Sequence, residues 1–184
     1  MSRKIVVQIP RDQTDRFFDR QTYEDLQKLG HIVWNPHKRP YTVEELIEEL
    51  RDADAVITTW GSTPISAEVF SRAPRLKLIA HMAGSVKPVV TTMDVYDAGT
   101  TVLSSNYAIA VSVSESVLMF ILALGHKVVE VDRAMRSGVR WKTPDLRMEA
   151  YELRGRTVGL VGLGLVAREV IKLLRPFEVT ILGT

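Results

Sequence analysis

The chain has 184 residues, 46% of them hydrophobic and 25% charged, proportions typical of a soluble globular protein. Its 24 basic and 22 acidic residues leave a net charge of +2, so neither nucleic acid nor an anionic membrane is expected as an electrostatic partner. Because cysteine is absent, a disulfide framework, a thiolate metal site and a cysteine nucleophile are excluded. The apolar run at residues 5–9 is too short for a signal peptide, and a cytoplasmic location is predicted.

Strand and helix patterns alternate through the first half of the chain. Predicted strands cover residues 5–9, 31–34, 55–60, 76–80 and 100–103, and predicted helices cover 22–29, 42–50, 63–70 and 89–98. The best-marked helix begins at Thr42, which with Glu45 forms a capping box. Strands that alternate with helices predict βαβ units and a parallel sheet, and therefore an α/β fold.

The second half of the chain begins with a long helical pattern over residues 111–137, ended by Gly138. Its longest uncharged apolar run, residues 117–124, is much shorter than the about 20 residues of a membrane span, so it is predicted to be a buried helix of a soluble fold. Residues 139–155 show no period and are predicted to be a loop.

A strand, a glycine turn, a helix and a second strand follow, over residues 156–184. Gly162, Gly164 and Ala167 form a G-x-G-x-x-A set between the predicted strand 158–161 and the predicted helix 166–174. The first small residue permits the sharp bend, the second lets a pyrophosphate approach the backbone, and the third allows close packing of helix on strand. The free N–H groups at the helix start, including those of Leu165 and Val166, would hold the phosphates. A merely tight turn, or a site for another ligand such as S-adenosylmethionine, is the alternative.

Other candidate catalytic groups are few. No serine lies in a G-x-S-x-G elbow, and no pair of histidines or carboxylates has a recognisable metal-ligand spacing, so no metal is predicted. His31, His37 and His126 are interpreted as surface or structural histidines. His81 differs because it adjoins the turn at Gly84, which makes it a candidate substrate contact.

Several segments together resemble the D-isomer-specific 2-hydroxyacid dehydrogenases. They are the flavodoxin-like βα order, a long helix after Ser-Ser-Asn at 104–106, Ser-Gly-x-x-Trp at 137–141, and Leu-Arg-Gly-Arg-Thr-Val-Gly-Leu-Val-Gly-Leu-Gly from Leu153. The resemblance implies a substrate-side flavodoxin-like domain at residues 1–102 and the start of a Rossmann NAD-binding domain at 103–184. The catalytic cleft would lie between these domains. The helix over 111–137 would pack against a second subunit and form a homodimer, although core burial explains its apolar half equally well.

The resemblance also assigns roles to individual residues. Backbone N–H groups of Ala83, Gly84 and Ser85 would bind the substrate carboxylate, and His81 falls where some relatives place a basic substrate contact. Val113 would line the nicotinamide side. The family usually continues with Gly-x-Asp where this chain has Ser-Val-Lys-Pro, residues 85–88, so the identity of the acid is left open.

The remaining functional residues of the family are expected beyond Thr184. These are an arginine for the carboxylate, a histidine for the hydroxyl proton and an acidic residue that tunes this histidine. The acidic residue that holds the adenosine ribose, about 20 positions after the first glycine, also falls at or past Thr184, so NAD and NADP are both possible cofactors. The chain is therefore expected to be a C-terminally truncated NAD(P)-dependent oxidoreductase for small 2-hydroxy or 2-oxo acids, inactive alone. The alternative is a non-catalytic dimerising or nucleotide-binding regulatory module.

Overall fold

The computed structural model of the chain describes residues 2–139 and 150–184 and contains two compact units. The first is Met1–Asn106 and the second is Tyr107–Thr184. The division predicted after residue 102 falls inside a strand, Thr101–Ser104, that pairs with its neighbour in the first unit and so lies wholly within that unit.

A five-stranded parallel sheet forms the centre of the first unit. Its strands are β1 (Lys4–Val7), β2 (His31–Trp34), β3 (Ala55–Thr58), β4 (Leu78–His81) and β5 (Thr101–Ser104). They lie in the order β2-β1-β3-β4-β5, with every neighbouring pair parallel. This is the flavodoxin-like strand order, in which ligands bind beyond the carboxyl ends of the strands. The predicted fold class is confirmed.

Short helices connect these strands, and side-chain caps mark the starts of α1, α2 and α3. They are a 3₁₀ helix (Arg11–Arg16), α1 (Arg20–Leu29), α2 (Val43–Leu50), α3 (Ala67–Ser71) and α4 (Asp94–Asp97). The Thr42 hydroxyl accepts from the Glu45 N–H while the Glu45 carboxylate accepts from the Thr42 N–H, which confirms the predicted capping box. Asp19 caps α1 in the same way through the N–H of Thr22.

The helix predicted over residues 89–98 is reduced to the four residues of α4. The Ile65 N–H donates to the Val89 carbonyl at 2.7 Å, and the Thr91 N–H donates to the Ile65 carbonyl at 3.2 Å. Because the backbone at Val89 and Thr91 is held in this short parallel bridge, it cannot follow a helical path.

Alternating side chains of the sheet enter two separate cores. Val6, Val56 and Ile79 lie on one face, fully buried beneath residues of α2 and α3. Ile5, Val7 and Ile57 lie on the other face with Leu26 of α1 and Phe18. The period of two along each strand therefore decides which side chains share a face.

The second unit combines two helices with a strand, helix and strand. Its elements are α5 (Asn106–Gly125), α6 (Val128–Arg136), β6 (Thr157–Leu160), α7 (Leu165–Leu174), a 3₁₀ helix (Arg175–Phe177) and β7 (Thr180–Gly183). Strands β6 and β7 pair in parallel. Leu153, Val170 and Leu174 form the buried core, with partly buried apolar residues of α5 packed against it.

The single helix predicted over residues 111–137 is two helices. Helix α5 begins at Asn106 and ends at Gly125, and α6 begins at Val128 after Lys127, which has a left-handed φ of 54°. Gly125 is buried, and a Cβ there would lie 3.2 Å from the Tyr151 ring, so the chain contacts this helix end closely. Most of the loop predicted over 139–155, with Trp141 of the Ser-Gly-x-x-Trp motif, lies outside the described residues.

The prediction that residues 117–124 form a buried helix is wrong for three of its largest side chains. Met119 is 54% exposed, Phe120 is 59% exposed and Leu124 is 66% exposed, while Val117 and Ile121 pack partly against the core. Although its longest uncharged apolar run covers only residues 117–124, the whole 20-residue helix α5 has the length and composition of a membrane span. Apolar helices of soluble proteins can have the same length and composition.

Candidate functional site

The glycine turn before α7 has backbone geometry that requires its first glycine. Gly162 has a φ of 87°, a left-handed conformation that side chains with a Cβ rarely adopt. Gly164 is the N-cap of α7 with an ordinary φ of −74°, and the space that a Cβ would fill there is open. The second glycine is therefore not required by the fold, and its missing side chain leaves an approach to the backbone.

The start of α7 offers free hydrogen-bond donors beside this open space. The first intrahelical bond of this end runs from the Arg168 N–H to the Gly164 carbonyl, at 3.1 Å. No side chain caps the helix, and among the described residues the N–H groups of Leu165, Val166 and Ala167 have no acceptor. Unpaired N–H groups and the positive end of the helix dipole favour an anion. The geometry of the turn fits a pyrophosphate group, and the role of these residues in binding one stays a prediction.

Val113 lies in the same compact unit as the glycine turn. It is on α5, one helical turn before Val117, which packs against the core of that unit, and it is 39% exposed. An exposed apolar side chain there is suitable for contact with a flat ring. Its place beside nicotinamide stays a prediction.

The turn that follows β4 presents three consecutive backbone N–H groups. Ala83 is fully buried, Gly84 is half-buried and Ser85 is exposed, and within the described residues none of their N–H groups has an acceptor. The turn is held from both sides. The Met82 N–H donates to the Thr58 carbonyl at 2.8 Å, and the Ser105 N–H donates to the Ala83 carbonyl at 3.0 Å. Successive free N–H groups form a concavity that binds anions such as a carboxylate.

His81 lies directly beneath this turn as the last residue of β4. It is 3% exposed, and its Nδ1 is 2.9 Å from the Thr58 hydroxyl. Burial lowers the pKa of His81, and a hydrogen bond with the backbone of Ser85 acts in the opposite direction. With its pKa lowered, the ring is neutral at pH 7 and acts through hydrogen bonds. The substrate contact predicted for His81 stays a prediction.

Two further polar residues at this end of the sheet were not singled out from the sequence. Gln8 follows β1, is fully buried, and its amide nitrogen and oxygen have no hydrogen-bond partner among the described residues. Thr58 ends β3 and is also fully buried. The available signal was a glutamine inside an otherwise apolar strand pattern, Ile-Val-Val-Gln-Ile. Among the residues described, no group of three or more His, Asp or Glu could hold a metal ion.

Two models of one protein family match the chain. Residues 13–86 match the D-isomer specific 2-hydroxyacid dehydrogenase catalytic domain, and residues 118–184 match the NAD binding domain of the same family. The two matches fall on the regions that contain the turn after β4 and the glycine turn. They confirm the resemblance inferred from the sequence.

Curated relatives match most of the chain but only part of their own length. A glyoxylate reductase of Thermococcus onnurineus (strain NA1) is 32% identical in an alignment 148 positions long that covers 76% of this chain and 42% of the relative. A formate dehydrogenase of Neurospora crassa is 33% identical in an alignment 155 positions long that covers 83% of this chain and 41% of the relative. The chain thus spans less than half the length of these relatives.

A solved structure supports the fold assignment. The PH0520 protein from Pyrococcus horikoshii OT3 superposes with a TM-score of 0.77 at 23% sequence identity, covering 100% of this chain and 52% of the other. Similarity at this level of identity supports the fold alone, and that fold is the α/β architecture described above.

Proposed function

We propose, because this chain belongs to the D-isomer specific 2-hydroxyacid dehydrogenase family, that it supplies two binding elements of an NAD(P)-dependent oxidoreductase. One is the glycine turn, which binds the pyrophosphate of the dinucleotide. The other is the turn after β4, which binds the carboxylate of a small 2-hydroxy or 2-oxo acid. The nicotinamide, when bound, exchanges a hydride with the alcohol or carbonyl carbon of this acid.

A single observation carries the cofactor half of the proposal. Gly162 has a φ of 87° and places Gly164, with open space above it, at the uncapped start of α7. A strand, turn and helix in this arrangement leave N–H donors aimed at one point, which is how a pyrophosphate is bound without any charged side chain. The acid half of the proposal is supported by the free N–H groups of residues 83–85.

Cofactor titration with matched glycine variants tests the first half. NADH and NADPH are titrated by calorimetry into the wild-type chain, Gly164→Val and Gly159→Val. Both glycines have open space where a Cβ would lie and neither has a positive φ. Only Gly164 belongs to the proposed pyrophosphate-binding turn, since Gly159 lies within β6. We expect Gly164→Val to lose binding by tenfold or more, about 1.4 kcal/mol, and Gly159→Val to bind as the wild type does. Binding of S-adenosylmethionine alone, with neither dinucleotide bound, would overturn the proposal.

The substrate proposal is limited to a chemical class. The glyoxylate reductase is 32% identical to this chain and the formate dehydrogenase is 33% identical, so sequence identity does not favour either substrate. The two substrates that these names give have only a small carboxylate in common. Saturation-transfer NMR of the cofactor-loaded chain with glyoxylate, hydroxypyruvate, pyruvate and formate tests this class. Binding of a neutral alcohol in preference to all four acids would contradict a carboxylate-binding turn.

We also propose a cytoplasmic homodimer that forms through residues 111–137. Its support is the row of exposed apolar side chains on α5 and α6, which includes Phe120, Leu124, Val128 and Val129, each more than half exposed. Solvent exposure of this much apolar surface favours association with a partner surface.

Light scattering in detergent-free buffer tests the dimer with a matched pair of variants. Leu124→Lys changes the C-terminal turn of α5, and Leu29→Lys changes the C-terminal turn of α1, where the leucines are 66% and 57% exposed. We expect Leu124→Lys alone to yield monomers. A wild-type chain that floats with lipid vesicles and has no soluble dimer would instead favour a membrane role for α5.

A further inference from the structure

Three polar residues continue the register of three neighbouring strands at the carboxyl edge of the five-stranded sheet. Val7 pairs with Ile57, so the next position aligns Gln8 with Thr58, and Thr58 pairs with His81. The Gln8 N–H donates to the Ile57 carbonyl at 2.9 Å, which shows that the ladder continues to this position.

The side chains of this row lie on one face of the sheet. Val6 of β1 belongs to the core beneath α2 and α3. Gln8 lies two residues later along the same strand direction, so its side chain lies on the same face of the sheet. Thr58 follows Val56 and His81 follows Ile79 by the same spacing, and Val56 and Ile79 belong to that same core. All three polar residues are at least nine-tenths buried. The row is therefore an internal polar layer between the apolar core and the turn at residues 83–85.

Hydrogen bonds connect this layer to the turn. The Thr58 hydroxyl is 2.9 Å from His81 Nδ1. If this hydroxyl donates to Nδ1, the single proton of the neutral ring is on Nε2. The His81 carbonyl accepts from the Ser105 N–H, which also donates to the Ala83 carbonyl of the turn.

Gln8 is the one member of the row without partners in the described structure, since neither its amide nitrogen nor its amide oxygen is hydrogen-bonded. A buried amide without hydrogen bonds destabilises the folded state. In a polar site of a protein interior, an enclosed water supplies the missing hydrogen bonds. Thr58, beside Gln8 in the register, has remaining acceptor capacity on its hydroxyl oxygen.

We propose that Thr58 and Gln8 are positioning residues for the turn at residues 83–85. Thr58 donates to His81 Nδ1 and thereby holds His81, whose carbonyl shares the Ser105 N–H with the Ala83 carbonyl of the turn, and the Gln8 amide orders the Thr58 hydroxyl through one enclosed water. The side chains of three strands thus hold the backbone that offers its N–H groups to a ligand. The relevance of this network to substrate binding rests on the proposed function, whereas its existence does not.

The experiment uses the 184-residue chain without cofactor and compares Thr58→Val with Thr59→Val. Both threonines are buried, but the Thr59 hydroxyl has no hydrogen-bond partner in the described structure. Nitrogen-15 NMR reports the His81 tautomer. Amide exchange of Ser105, which donates to the carbonyls of His81 and Ala83, reports the position of the turn, with Ile79 as the core reference.

In the wild-type chain we expect a single Nε2-protonated tautomer. Thr58→Val should mix the tautomers and speed Ser105 exchange about tenfold at unchanged Ile79 exchange, the effect of one lost hydrogen bond. Thr59→Val should change Ser105 exchange less than about twofold, and Thr58→Ser should restore the wild-type tautomer. Gln8→Met should speed Ser105 exchange by a smaller factor, about threefold.

Two results would overturn the proposal. If Thr58→Val and Thr59→Val have the same populations of the His81 tautomers and the same Ser105 exchange rate, then Thr58 does not belong to the network. A Gln8→Met chain with unchanged Ser105 exchange and a higher melting temperature would show that the amide is merely unsatisfied. Neither readout involves NAD(P) or acid, so a failed cofactor titration leaves this test intact, and a failed test here leaves the cofactor proposal intact.

Discussion

The two candidate binding elements are built in different ways. The turn after β4 follows a buried row of residues at the ends of three strands, and both His81, which ends β4, and Ala83 within the turn are almost fully buried. The glycine turn is formed by consecutive residues, lies open, and has Val161 beside it at 96% exposure. The first element therefore depends on tertiary packing, whereas the second depends on the local geometry of a strand, a turn and a helix.

This contrast implies that damage to one element should leave the other intact. The first unit has cores on both sides of its sheet, and the second has a single core centred on Leu174. Substitutions confined to one unit test this independence.

Truncation of the core of the second unit should be the most disruptive change. Leu174 is fully buried, and Leu174→Ala should lower the free energy of unfolding of that unit by about 2–5 kcal/mol through lost apolar contacts and a cavity. Urea denaturation measures the loss, and amide exchange at Ile79 reports the first unit. Leu182→Ala, at a residue 60% exposed, is the control and should cost less than about 1 kcal/mol. Loss of Ile79 protection by an equal factor would show that the two units unfold together.

Replacement of Gly162 should destabilise the glycine turn and leave the turn after β4 unchanged. Gly162→Ala forces a residue with a Cβ into a φ of 87°, at a cost of about 1–2 kcal/mol. Gly159→Ala, where φ is not positive and a Cβ has open space, is the control. Thermal denaturation of both variants checks the difference. Equal melting temperatures would mean that the turn tolerates another conformation, and that its glycine is not required by the backbone.

Lowering the pH should destabilise the turn after β4 through protonation of His81. Its pKa is lowered by burial, so below pH 6.5 the unfolded chain binds a proton that the folded chain does not, and stability falls as the pH drops through that window. The slope from one proton is at most about 1.4 kcal/mol per pH unit. NMR titration of His81 in the folded chain measures the pKa directly. A His81 pKa at or above 6.5 would contradict a buried neutral ring.

A surface carboxylate that belongs to neither element sets the baseline for acid effects. Hydrogen bonds from Arg39 and then from the Thr42 N–H lower the pKa of Glu45 to about 2. Its contribution to stability is present above the ordinary value of 4.5 and is lost as the pH falls from 4.5 towards 2. Arg39→Met should raise this pKa without removing the carboxylate, and carbon-13 NMR titration checks the shift. An unchanged pKa would assign the effect to the helix cap alone.

Much of the fold could be predicted because its information is local. The capping box of Thr42 and Glu45 lies within four residues, and both of its hydrogen bonds are present. The alternation of strands and helices predicted a parallel sheet, which has the expected strand order. The glycine turn was placed correctly between β6 and α7 because backbone conformation there is set by Gly162 itself. Family membership followed from the same residues.

Other features depend on residues that are distant in sequence. The helical pattern did not predict the break after Gly125. At this break Gly125 lies close to Tyr151 and Lys127 has a left-handed φ, and these features separate α5 from α6. It also could not reveal which side of α5 lacks a covering element, so a buried helix was wrongly predicted at Phe120 and Leu124.

The α/β class, the helix caps and the glycine turn could be predicted from the amino-acid sequence, because each depends on short-range backbone preferences and side-chain periods. The family could be predicted from its sequence motifs. The alignment of Gln8, Thr58 and His81 in one buried row beneath the turn after β4 depends instead on three-dimensional packing. Strand order and register bring these residues together across 73 positions of sequence, from 8 to 81. No local preference encodes that pairing, because it arises from the packing of three separate strands into one sheet.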